Sequence, residues 1–248
     1  MKNVKVILWG LGAMGGGIGK MLTKKKGVDI VGAIDIGDKI GKSLYDVVPG
    51  IVKGDREDVI VGTPEEVIKP GAADIVVVCT NSFTKDVFDK LVFVMERGMN
   101  VITSAEEMAY PQAQEPELAK KLDEIAKKNG VSVMGTGINP GLIMDLLVVL
   151  WTAACEEVNH VTSRRVNSLS PFGPAVMEEQ GIGISVEEFN ERKANGTMAG
   201  HVGFAESTMM ICDALGWKWD DFGQDMEPIV TDVDRKSPYG FAAAGQVA

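Results

Sequence analysis

Residues 9–19 read "WGLGAMGGGIG". The run "VKVILWG" at 4–10 leads into them as continuous apolar residues closing on glycine, the pattern of a strand buried on both faces of a parallel sheet. A helix is expected to follow. Ile18, Met21 and Leu22 space an apolar stripe, Lys24, Lys25 and Lys26 suit the negative end of a helix dipole, and Gly27 stops it. Between strand and helix stands Gly10-x-Gly12-x-x-Gly15. Gly10 permits a tight turn, Gly12 lets the backbone approach a pyrophosphate, and Gly15 lets helix and strand pack closely. The helix N-terminus at Ala13 and Met14 would then offer N–H groups to the anion. Taken alone in a chain with 29 glycines, the triplet reads equally as a flexible turn.

Asp35 supplies the second observation. It ends the strand "DIVGAID", 20 residues after Gly15, where a partner for a ribose 2′-hydroxyl belongs. Together the two predict dinucleotide binding. A carboxylate there repels a 2′-phosphate and favours NAD over NADP, while Lys39 and Lys42 soften that preference. The alternative role for Asp35 is a loop cap.

The alternation continues through "TPEEVI", where Thr63 caps and Pro64 opens a helix, to the central strand "ADIVVVCT" and the helix "TKDVFDKLVFVMERG". A short strand "NVIT", an amphipathic helix from Pro116 to Asn129 and the strand "VSVMGTG" complete it. The fold class is therefore α/β, a Rossmann-type doubly wound parallel sheet, over residues 1–138. After "GINPG" at 137–141 the regularity lapses. A long buried helix is expected from Pro140 through "GLIMDLLVVLWTAAC", then a strand in "HVTSRRVNS". Two helices follow, "SVEEFNERKANG" with a Ser185/Glu188 capping box and "FAESTMMICDALG" ended by Gly216, and then a strand in "MEPIVTDVD". Residues 139–248 thus read as an α+β substrate-binding or oligomerisation domain. Its helices outnumber its strands, so it is expected to be incomplete and to continue in a longer natural protein.

The net charge of −10 argues against a nucleic-acid backbone or an anionic membrane as partner. The apolar run at 141–155 is shorter than the ~20 residues a bilayer requires and is broken by Asp145. The N-terminal run is too short and too Gly-punctuated for a signal peptide and reads as the first strand. Cys79, Cys155 and Cys212 are far apart and odd in number, which disfavours a disulfide framework and fits a reducing cytoplasm. No Cys stands where it would become a thiolate nucleophile, no GxSxG occurs, and two histidines, His160 and His201, are too few for zinc, so no metal is expected. A homodimer is the default from symmetry statistics.

In an open α/β sheet, ligands bind outside the C-terminal strand ends. Thr80, Asn81 and Ser82 in "CTNS" would flank a nicotinamide ribose or cap the next helix, and Asn139 would bond ligand or cap its own helix. "TSAEE" at 103–107 is the unusual end, because two adjacent carboxylates repel. Glu106 and Glu107 lie where nicotinamide and substrate should meet, and a carboxylate there can hold a cationic amine or take its proton. Glu106 is favoured for the inward role, with Glu107 second. The plainer alternative is an acidic turn or a helix start stabilised by its dipole.

Six stretches, "VILWGLGAMGGGIGKML", "GAIDIGDKIGKSL", "NVITSAEEMAYP", "GTGINPGLIMDLL", "SRRVNSLSPFGPAV" and "AGHVGFAES", together resemble the 2,4-diaminopentanoate dehydrogenases across nearly the whole chain. That family is related to dihydrodipicolinate reductase and to native amine dehydrogenases. The resemblance implies NAD(P)-dependent oxidative deamination of 2,4-diaminopentanoate to 2-amino-4-oxopentanoate and ammonia, in ornithine degradation. It puts the family's active-site glutamate on the "AEE" turn, at Glu106 or Glu107. A diamino acid substrate also has a carboxylate, for which Arg164 or Arg165 is expected, with Asn167 and His201 nearby, since a guanidinium binds a carboxylate in bidentate fashion. A surface strand is the other reading of the arginines, and a core position that of His201. The paired-histidine and lysine motif of dihydrodipicolinate reductase is absent, which argues against that reaction. Two rivals are kept: another amine or semialdehyde reductase on this scaffold, and a non-catalytic NAD(H)-sensing protein, which would have no use for Glu106.

Overall fold

A computed structural model describes residues 2–171, 173–198 and 201–248; Phe172 of "SPFGPAV" and Ala199 and Gly200 of "AGHVGFAES" lie outside them. Strands β1 (Val4–Trp9), β2 (Val28–Ile34), β3 (Val61–Gly62), β4 (Ile75–Val78), β5 (Asn100–Thr103) and β6 (Val133–Gly135) form one sheet in the order β3-β2-β1-β4-β5-β6. Every neighbouring pair is parallel. This is the doubly wound Rossmann-type sheet expected, and its order reverses between β1 and β4, the point at whose C-terminal strand ends open α/β sheets bind ligands.

Alternate residues of β1 face opposite sides of the sheet. Ile7 and Trp9 pack with Val76 and Val78 of β4 and with Val87, Leu91 and Met95 of a helix at Thr84–Met95. Val6 and Leu8 pack on the other side with Ile30, Ala33 and the Ile18 and Leu22 side chains of helix α1 (Ala13–Leu22). Burying a large apolar side chain contributes roughly 1.5–3 kcal/mol. Helices on both faces thus make the sheet a firm plate from which strand ends project. Short helices α2 (Leu44–Val47) and α3 (Pro64–Val67) follow in chain order, the latter opened by a Thr63/Glu66 capping box. The Thr84–Met95 helix is α4, and α5 spans Pro116–Asn129.

The apolar run at 141–155 departs from expectation. Helix α6 occupies only Leu146–Thr152, and Leu146, Leu150 and Trp151 are exposed, so it is neither long nor buried. Asp145 is the reason. Fully buried, it accepts the N–H of Gly141 at 2.7 Å, the N–H of Leu146 at 2.6 Å and the Ser207 hydroxyl at 2.8 Å. The chain must turn through 140–145 to bring those donors together, and the helix starts only after the cap. Asp145→Ala leaves three donors short of an acceptor and is expected to lower the unfolding free energy by about 2–4 kcal/mol. A urea titration checks this.

The chain divides into two compact units, residues 1–160 with 205–219, and residues 161–204 with 220–248. The Asp145 cap takes a bond from Ser207 on helix α9 (Phe204–Leu215), all of which but Phe204 belongs to the first unit. The second unit contains α7 (Pro174–Glu179), α8 (Val186–Ala194) with its Ser185 cap, and an antiparallel pair, β7 (Arg235–Lys236) and β8 (Phe241–Ala242). Two expected strands do not form. Residues 160–168 have no regular structure, and 226–234 contribute only an isolated bridge from Val230 to Val247. Val166 is 90% exposed, so "HVTSRRVNS" lacks the packed face that holds a strand in place.

Candidate active site

The glycine loop fits a dinucleotide. The Gly10 N–H donates to the Ile34 carbonyl at 2.9 Å, closing the loop onto β2, and its φ of 94° is one that side chains disfavour. A Cβ on Gly15 would stand 1.8 Å from the Gly10 carbonyl oxygen, so only glycine lets α1 start this close to β1. Gly12 differs. A Cβ there would meet nothing within 4 Å, and the space it leaves open lies at the N-terminus of α1. That end has no side-chain cap and no acidic residue in its first turn, which leaves the N–H groups at Ala13, Met14 and Gly15 for an anion.

Asp35, just beyond β2, ties this loop down. Its carboxylate accepts the N–H of Leu11 at 2.8 Å and of Ile36 at 2.8 Å, and pairs with the Lys39 ammonium at 2.7 Å. Burial pushes the Asp35 carboxyl up, but the bonds from Lys39, Ile36 and Leu11 and the Lys39 charge outweigh it, leaving the group below its ordinary range. Lys39 also reaches the Leu11 carbonyl at 3.2 Å, whereas Lys42 pairs with Asp38. A carboxylate and an ammonium therefore stand together beside the glycine loop.

At the end of β4, burial pushes the Cys79 thiol up, so it is no thiolate. The Thr80 hydroxyl is buried without a hydrogen-bond partner among the described residues. Asn81 is exposed and accepts from Lys90 at 2.9 Å, and the Ser82 carbonyl accepts the N–H of Glu107 at 3.1 Å. None of the three caps α4. The cap comes from Glu107, 23 residues on in sequence, whose carboxylate accepts the Thr84 N–H at 2.8 Å.

This separates the two glutamates. Both lie on a 3-10 turn, Glu106–Ala109, just after β5. Glu107 is 8% exposed and is spent on the start of α4, where the helix dipole stabilises its charge. Glu106 is half-buried, and its carboxylate has no hydrogen-bond or ion-pair partner among the described residues. Their adjacency is eased because one of the two carboxylates faces the N-terminus of a helix. β6 supports the turn from behind: a Cβ on Gly135 would stand 2.0 Å from the Met108 carbonyl oxygen.

Asn139 precedes a cis peptide to Pro140 in the turn after β6, and the α6 cap is Asp145, not Asn139. The first unit therefore gathers the glycine loop, Asp35, Thr80 to Ser82 and the Glu106 turn at the C-terminal ends of its strands. The remaining expected residues belong to the second unit. Arg164, Arg165 and Asn167 are exposed on the irregular stretch. Asn167 lines a cavity of about 470 Å³ with Ser168, Thr231, Arg235 and Lys236, and Arg235 is a cation that sequence reading did not single out. His201 packs its ring 4.7 Å from that of Phe204, and its carbonyl accepts from Gln224. All three cysteines are free. Among the described residues, no cluster of three or more His, Cys, Asp or Glu could hold a metal, and no helix is long and apolar enough to cross a membrane.

Residues 142–248 match the family model described as the 2,4-diaminopentanoate dehydrogenase C-terminal domain. The whole chain is 67% identical, over 249 aligned residues, to a curated 2,4-diaminopentanoate dehydrogenase of Acetoanaerobium sticklandii, and it spans 70% of that protein. Among solved structures it is similar to the amine dehydrogenase from Mycobacterium smegmatis, with a TM-score of 0.73 and 27% identity, covering 99% of this chain and 72% of that one.

Proposed function

The chain belongs to the 2,4-diaminopentanoate dehydrogenase family, and from that membership we propose that it oxidises the C4 amine of 2,4-diaminopentanoate, giving 2-amino-4-oxopentanoate and ammonia. The reaction balances as substrate ammonium, oxidised nicotinamide and water going to ketone, reduced nicotinamide, ammonium ion and one proton. The observation that carries the reading is Glu106, a half-buried carboxylate with no partner among the described residues, on the sheet edge that also bears the glycine loop.

The N–H groups at the start of α1 would hold the pyrophosphate, and Thr80 to Ser82 and Asn139 the nicotinamide end. When bound, the nicotinamide supplies the acceptor for the C4 hydride. Glu106 takes the proton from the C4 ammonium, so that the nitrogen lone pair can push the hydride out, and passes that proton to solvent; it then takes one from the water that adds to the iminium carbon and returns it to the nitrogen, which leaves as ammonia. Glu107 keeps the start of α4 in register. Arg164 and Arg165, whose guanidinium groups have no partner among the described residues, are proposed for the substrate carboxylate, with Asn167 and His201 beside them. The test is stoichiometry: one ammonia released per reduced nicotinamide formed supports the reading, and reduced nicotinamide without ammonia sinks it.

For the cofactor we propose that both NAD and NADP are accepted. Asp35 can take the ribose hydroxyls of NAD, and Lys39, already at its side, can turn to a 2′-phosphate. Lys39→Ala is expected to raise the KM for NADP about tenfold, the loss of one charge-assisted bond, and to change that for NAD by less than about twofold. Equal effects on both cofactors would remove Lys39 from the selectivity account.

A further inference from the structure

Helix α9 buries a carboxylate for which the reaction above has no use. Glu206 is fully buried. One of its oxygens accepts from the Gln114 side chain at 2.7 Å, and the other has no hydrogen-bond partner among the described residues. Buried polar groups are almost always satisfied, and a carboxylate is a costly one to leave half-partnered. Burial pushes the Glu206 carboxyl up, the bond from Gln114 offsets part of this, and the neighbouring charge of Glu107 adds to the rise. The position therefore carries a cost to stability that an apolar residue would not.

Its surroundings give a reason. Gln114 ends the stretch that begins with the Glu106–Ala109 turn and continues through a second 3-10 turn at Pro111–Ala113. Two side chains of that stretch reach α9: Gln114 bonds Glu206, and the Tyr110 hydroxyl donates to Asp213 at 2.5 Å. Residues 206 and 213 are seven apart, two turns along one face of the helix. Burial and the Asp213 bond push the Tyr110 hydroxyl up to about 12, so it remains a donor at any working pH. On the same helix Ser207 bonds Asp145 and so also fixes the turn after Asn139. A free carboxylate such as Glu106 has no bond of its own to aim it, so its direction depends on how firmly its turn is held.

We propose that Glu206 is a positioning residue for the site, acting through Gln114 to hold the turn that carries Glu106 and Glu107 against α9. The proposal rests on the reading of Glu106 as base only for its kinetic consequence. Hydrogen exchange and steady-state kinetics of the full chain test the two parts separately. Glu206→Ala is expected to speed amide exchange in residues 106–114 while leaving the central strands protected. It is also expected to lower kcat by about 10–100-fold, as a misplacement near 1 Å does, with the cofactor Kd unchanged. Glu206→Gln keeps an oxygen for Gln114 and should hold both readings within about threefold of the parent chain. Gln114→Ala removes the donor at an exposed position and should reproduce the local exchange effect even where the buried alanine fails to fold. Unchanged exchange at 106–114 in Gln114→Ala, exchange rising over the whole chain in Glu206→Ala, or a glutamine variant as impaired as the alanine one would each overturn the proposal. A parent chain with no amine oxidation would instead sink the functional reading, and the exchange measurements would still decide this one.

Discussion

Glu106→Gln lowers kcat for amine oxidation by about 10²–10⁴-fold, the usual range for loss of a general base, and leaves the cofactor Kd unchanged. The amide is nearly the same size and the turn is held by other contacts, so the fold should be intact. What disappears is the group that accepts the ammonium proton. Glu107→Gln is the informative contrast, since the amide oxygen can still accept the Thr84 N–H at the start of α4. It should lose far less activity. A Glu107 variant that loses more than the Glu106 one would exchange the roles of the two, and the pH dependence of kcat for each would identify the titrating group.

The second large effect belongs to the glycine loop, and it splits by position. Gly15→Ala puts a carbon where the Gly10 carbonyl oxygen stands, so α1 must move off β1. Both stability and cofactor binding should fall, binding by about 100-fold or more if two charge-assisted bonds to the pyrophosphate are lost. Gly12→Ala puts its methyl into open space at an unstrained φ of −75°. Its Tm should match the parent's while cofactor binding falls steeply, because that space is the one proposed for the pyrophosphate. Isothermal titration beside a thermal melt separates these outcomes. A Gly12→Ala variant that binds cofactor normally would show that the loop serves packing alone.

The difference between these two predictions marks what was legible in the sequence. Strand β1, the glycine triplet and Asp35 follow from hydrophobic runs and fixed spacing, and so does the parallel, doubly wound class of the sheet. Which glutamate is free was not legible, because a turn does not disclose side-chain direction. The deciding contact joins Glu107 to Thr84 across 23 residues, and nothing local reports it. Asp145 misled for a similar reason. Read along the chain it interrupts an apolar helix, whereas in the fold it is the cap that starts the helix later, with Ser207 supplying a donor 62 residues away. Non-local pairing also explains the failures in the second unit, where β-leaning residues at 161–168 and 226–234 have too little packed surface to become strands. α9 was foreseen as a helix, but its grip on Tyr110 and Gln114 exists only in three dimensions.

The most direct test of the account is the initial rate of reduced-nicotinamide formation with 2,4-diaminopentanoate, measured with NAD and with NADP on the parent chain and on Glu106→Gln. Turnover is expected with both cofactors and should collapse in the variant while cofactor binding persists. No turnover in the parent chain with cofactor bound, or a variant as fast as the parent, would contradict it.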